Sequence, residues 1–112
     1  MTMNIKVHSI HFDADIKLTE YIHEKIGKLE QFSDRLLEAE VFLRVEHDSA
    51  NRENKLVEIR LGVPGNDLFA KRNGHTFEEA TDEAVEALRR QVKRKMDRMR
   101  KVWPAGSRFP TD

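Results

Sequence analysis

The sequence predicts an α+β two-layer sandwich: a four-stranded sheet with two helices packed on one face. Three observations predict it. Period-two and period-3.6 hydrophobic segments follow one another in the order β-α-β-β-β-α. A helix separates the first two strands, which suits a right-handed crossover between parallel neighbours. The later strands are joined by short turns, which suit antiparallel pairing. Strands collected on one side and helices on the other make two layers around one core.

The first strand is "NIKVHSIHF" (4–12), where Ile5 and Val7 alternate with Lys6 and His8. Asp15 is a good N-cap for a helix running from Ile16 to Phe32. In that helix Leu18, Ile22, Ile26 and Leu29 form one apolar stripe, and Gly27 is read as permitting close packing. "EVFLRVEHD" (40–48) places Val41, Leu43 and Val45 on one face, and "HDSANREN" (47–54) is a polar turn. "LVEIRLGV" (56–63) brings Val57, Ile59, Leu61 and Val63 to one side. "PGND" (64–67) is a tight turn, because Pro presets one dihedral and Gly and Asn tolerate positive φ. "LFAKR" (68–72) is a short fourth strand closed by Asn73 and Gly74. Thr76 with Glu79 reads as a capping box, so the second helix starts near Phe77. Its stripe runs through Phe77, Thr81, Ala84, Val85, Leu88, Val92, Met96 and Met99, and Pro104 ends it at about Val102. Residues 1–102 are thus expected to form one domain and 103–112 a flexible tail, with Trp103 and Phe109 left without an assigned role.

Composition narrows the function classes. The 112 residues hold 20 basic and 20 acidic side chains, no cysteine, and no apolar run near the roughly 20 residues a membrane helix needs. The start carries no signal-peptide pattern, and the lack of cysteine fits a reducing cytoplasm. The balance of charge hides a strong asymmetry. "RRQVKRKMDRMRK" (89–101) carries eight Lys or Arg against Asp97 alone. On a helix, Arg90, Arg94, Arg98 and Lys101 lie on one flank of the apolar stripe, and Arg89, Lys93 and Arg100 on the other. Like charges at i, i+4 cost an isolated helix about 0.2–0.5 kcal/mol per pair. Favourable interaction with the helix dipole accounts for two or three cations at most. The surplus points to an external polyanion. Binding to a membrane surface would require the apolar stripe that the sheet already claims. Lys25 and Lys28 on the first helix could face one flank of the basic helix across a groove. Such a pair of cation rows suits a structured RNA backbone. Tyr21, beside them, either stacks on a base or packs at the helix edge, and packing is the preferred reading.

Enzymatic chemistry finds little support. His8, His11, His23, His47 and His75 are scattered and suggest no metal site, which needs three or more convergent ligands. Asp13 with Asp15, and Glu46 with Asp48, read more simply as caps and turn residues than as magnesium-binding pairs. No catalytic triad or phosphate-cradling glycine loop is visible.

"MTMNI" at the start, "KIGKLEQF" (25–32) and "RRQVKRKMDRMRK" (89–101), set on this order of elements, resemble the bacterial ribosome hibernation-promoting factors. That family includes the ribosome-associated inhibitor A proteins, also called sigma-factor modulation proteins. The resemblance covers residues 1–101 and implies a stationary-phase or stress factor, without catalysis or cofactor, that binds the small ribosomal subunit. Seated in the decoding-region channel of tRNA and mRNA, such a protein excludes both and inhibits translation. Carried over by position, Lys25, Lys28, Arg90, Arg94 and Arg98 would contact ribosomal RNA, while Arg89, Lys93 and Lys101 are added on charge alone. The tail is not acidic and no second domain follows, so the chain reads as the short type, monomeric off the ribosome and without a small-molecule substrate. Many relatives open the second helix with Asp-Met-Tyr-Ala-Ala. Here "HTFEEA" (75–80) stands instead, with His75 in place of the acid and Phe77 taking the packing role of the Tyr. Two rival readings remain: a protein that modulates a transcription sigma factor, and a generic double-stranded-RNA-binding domain.

Overall fold

The computed structural model describes residues 3–33, 35–46 and 53–102, the last four of these by backbone only. Its elements are β1 (Asn4–Ser9), α1 (Ile16–Gly27), a 3₁₀ helix (Lys28–Phe32), β2 (Glu38–Val45), β3 (Lys55–Gly62), β4 (Leu68–Gly74) and α2 (Phe77–Val102). The strands lie in the order β1-β2-β3-β4, with β1 parallel to β2 and the other pairs antiparallel. This is the α+β sandwich the sequence predicts. Alternate residues of the sheet, Val41, Leu43, Val57, Ile59 and Leu61, are buried on one face. They join Ile22, Ile26 and Leu29 of the first helical segment and Leu88 and Val92 of α2 in a single apolar cluster. Both helices therefore cover the same face, which brings them side by side.

Several boundaries differ from the sequence reading; β2, read as 40–48, spans Glu38–Val45, and β3 lies one residue earlier than 56–63. β1 stops at Ser9 because the chain turns sharply at His11, whose φ of 66° is left-handed; histidine is among the residues that tolerate that region. The first helix is not continuous to Phe32, since it tightens into the 3₁₀ turn after Gly27. Gly27 does not serve close packing: a Cβ built there would meet nothing within 4 Å. β4 runs through Asn73 to Gly74, and here the missing side chain matters. A Cβ at Gly74 would stand 2.9 Å from the Ala80 backbone nitrogen, so only glycine lets α2 start so close to the strand. Gly65, at φ 98°, supplies the positive dihedral expected of the "PGND" turn.

Local contacts fix the helix starts. Asp15 accepts from the Lys17 backbone N–H at 3.1 Å, capping α1. Thr76 accepts from the Glu79 N–H at 3.0 Å, and Glu79 in turn accepts from the His75 N–H at 2.8 Å. Phe77 stacks on Phe12 with ring centroids 5.2 Å apart, tying the loop after β1 to the start of α2. Met3 is buried, and its N–H donates to Glu30 at 2.8 Å, anchoring the first described residue to the 3₁₀ helix.

The opposite sheet face carries a cluster of ion pairs. Arg60 reaches Glu38, Glu40 and Asp67, each at 2.9 Å. His8 stacks on Phe42 and lies 3.2 Å from Glu40. Arg60, and to a lesser degree His8, hold the Glu40 carboxyl below the usual carboxylate range. Among the described residues no helix is long and apolar enough to cross a membrane.

Candidate nucleic-acid interface

Because α1 and α2 share one sheet face, their exposed edges meet in a groove of about 360 Å³. Lys25 and Lys28 line one wall, and Asp82, Glu86 and Arg89 line the other. Phe32 closes the end beneath Arg89, whose guanidinium carbon stands 6.0 Å from the ring centroid. The groove expected from the sequence therefore exists. Lys25 and Lys28 do face the second helix.

Its electrostatics are subtler than two rows of cations. Lys25 Nζ lies 3.6 Å from Asp82, and the Tyr21 hydroxyl donates to the same carboxylate at 2.6 Å. That hydrogen bond is the chief reason the Tyr21 phenol is pushed up to about 12. Tyr21 is thus a packing and bridging residue, tying α1 to α2. Glu86 accepts from Arg89 Nε at 3.1 Å and also contacts Arg89 Nη2 and, at 3.4 Å, Arg90 Nη1. Arg89 holds the Glu86 carboxyl below its ordinary range, and Glu86 holds the Arg89 guanidinium above its own. Three cations against two carboxylates leave the lined groove only one charge positive.

The larger positive surface lies on α2 itself. Arg89 turns towards α1, and Lys93, one helical turn on, continues that flank. Arg90, Arg94 and Arg98 follow the other side of the helix and are exposed. Gln91 marks the boundary on that side, its amide donating to the Phe69 carbonyl of β4 at 2.8 Å. Lys28, Lys93, Arg94 and Arg98 carry no ion pair among the described residues. The side chain of Lys101 lies outside the described residues, as do His47, Asp48, Trp103 and Phe109. The structure thus brings Lys25, Lys28 and Arg89 together and sets Arg90, Arg94 and Arg98 on a separate flank.

Sequence reasoning missed Asp82 and Glu86 as groove residues. Glu86 was within reach, since its spacing to Arg89 and Arg90 is that of helix ion pairs; Asp82 pairs with residues 57 and 61 positions away, which local spacing cannot reveal. Also missed is a surface trio, Glu53, His75 and Glu79, whose ligand atoms lie within 4.8 Å of one another. All three are exposed and Glu79 already serves the helix start, so the trio is an ordinary charged surface feature. Of the paired acids read from the sequence, Asp15 caps α1 and Glu46 accepts from Asn73 at 2.7 Å, while Asp48 lies outside the described residues.

Comparison with known proteins bears on the same span. The family described as Sigma 54 modulation protein / S30EA ribosomal protein matches residues 5–100. A ribosome hibernation promotion factor of Deinococcus radiodurans is 31% identical over 77 residues, which take in 69% of this chain and 40% of that longer protein. The ribosome hibernation promoting factor of Azotobacter vinelandii is 28% identical over 114 residues, covering 98% of this chain and all of the relative. Among solved structures, the N-terminal domain of Thermus thermophilus Protein Y superposes with a TM-score of 0.71 at 27% identity, over 82% of this chain and 98% of the other. A ribosomal subunit interface protein of Coxiella burnetii superposes equally well at 17% identity, a likeness of fold alone.

Proposed function

The chain belongs to the Sigma 54 modulation protein / S30EA ribosomal protein family, and from that premise we propose that it is a ribosome hibernation factor acting by occlusion on the small subunit. The observation that carries this reading is the long basic helix beside the cation-lined groove. The 26 residues of α2 make a rod of about 39 Å. Its exposed cations are spaced one helical turn apart, suited to successive phosphates. Lys28, Arg89 and Lys93 would take one strand of folded ribosomal RNA at the groove. Arg90, Arg94 and Arg98, with Lys101 by helical register, would take phosphates on the other flank. Shape and phosphate contacts of this kind position a protein on structured RNA without reading bases.

In this reading the protein works in the cytoplasm under stress or in stationary phase. It sits in the decoding region, where the tRNA anticodon stem and the mRNA would otherwise lie, and so inhibits translation. No bond is made or broken, so no catalytic residue or cofactor takes part. Binding to the acidic surface of a sigma factor would use the same helix. Inhibition of translation in a purified system lacking transcription separates the two.

The test is co-sedimentation with purified small subunits alongside in vitro translation. Reversing Arg90 and Arg94 to Glu removes two phosphate contacts and should weaken binding roughly 30-fold at 0.15 M salt, with inhibition lost in parallel. Wild-type co-sedimentation by the folded double variant would overturn the assignment.

A further inference from the structure

We infer that Glu86 is a built-in competitor for RNA phosphate, a specificity-determining residue that keeps the groove from engaging arbitrary RNA; this rests on the reading above. One carboxylate ties down a cation from each flank of α2, Arg89 on the groove side and Arg90 on the outer side. Arg89 is held from below as well, over the Phe32 ring. The Arg89 pairing also holds the Glu86 carboxyl below its ordinary range. By contrast, Lys28, Lys93, Arg94 and Arg98 carry no ion pair among the described residues.

The two sets of cations therefore meet a polyanion differently. Any RNA backbone can gain contacts from Lys93, Arg94 and Arg98, because nothing must be displaced. A phosphate that reaches Arg89 must first replace the Glu86 carboxylate, which then stands close to the incoming charge. Like charges brought together without a partner disfavour the wrong complex, a common source of specificity. Only an RNA whose shape carries a phosphate between Lys28 and Arg89 offsets that loss. Asp82 acts in the same sense on Lys25, 3.6 Å away, but is held by Tyr21 and has less freedom to move aside.

The experiment compares the whole protein with Glu86→Gln and Glu86→Asp on two probes: a 16-base-pair duplex RNA of arbitrary sequence and purified small subunits. Affinity is read between 50 and 200 mM salt. Glu86→Gln should tighten duplex binding about eightfold at 0.1 M salt, and steepen the log–log salt slope by roughly 0.9, for each arginine released. Subunit binding should change less, so the preference for subunits over duplex falls. Glu86→Asp keeps the charge and should stay near wild type. Adding Arg89→Gln to Glu86→Gln should remove most of the duplex gain. Unchanged duplex affinity and slope in Glu86→Gln would overturn the inference, as would equal tightening on both probes. So would weaker binding to both together with a lowered Tm, the mark of a purely structural Glu86. The duplex arm is read without subunits, so its failure is distinguishable from failure of the hibernation reading.

Discussion

Tyr21 is the chain's single tyrosine, which makes its environment directly measurable. The 2.6 Å hydrogen bond to Asp82 favours the neutral phenol, so its pKa is pushed up to about 12 from the ordinary 10.0. A raised folded-state value means that the bond's contribution to stability is complete below pH 10. It is lost as the pH climbs through about 12. An alkaline absorbance titration should therefore show phenolate forming near pH 12, and Asp82→Asn should bring the midpoint back towards 10. A midpoint near 10 in the wild type would break the proposed tie between the helices. None of this is legible locally. The sequence shows Tyr21 one turn from Lys25, while the partner that decides its behaviour sits on another helix. The face of each core residue, by contrast, follows from spacing alone. Leu18, Ile22 and Ile26 are buried where the 3.6-residue period puts them.

Helix α2 shows how far an element can be read from its ends. Thr76 and Glu79 mark its start in the sequence and make the expected hydrogen bond in the structure. The return bond from Glu79 lands one residue earlier than a capping box requires, on the His75 N–H. Thr76→Ala should lower stability by about 1 kcal/mol in denaturant unfolding, with little change in RNA binding, because the cap lies at the far end from the basic segment. A loss of binding as large as that of the Arg90/Arg94 reversal would mean the cap shapes the interface. The end of α1 carries no such mark. Leu29 continues the apolar period, so nothing in the pattern announces the change to a 3₁₀ turn. That change matters because it sets Lys28 and Phe32 against Arg89.

At the scale of the whole molecule, zero net charge conceals a division of labour between two faces. On the outer sheet face Glu38, Glu40 and Asp67 are gathered on Arg60. On the helix face Arg94 and Arg98 project without ion pairs among the described residues. The sequence reveals the excess of cations on α2 by simple counting. It does not reveal that Asp82 and Glu86 temper the groove, because that depends on how two helices pack. On the proposed reading, the helix face and the path of mRNA and tRNA compete for one place on the small subunit. The direct measurement is co-sedimentation of the wild-type protein with small subunits preloaded with mRNA and tRNA. Exclusion of the protein, reversed when the mRNA and tRNA are removed, is the predicted result. Simultaneous occupancy at undiminished affinity would contradict it.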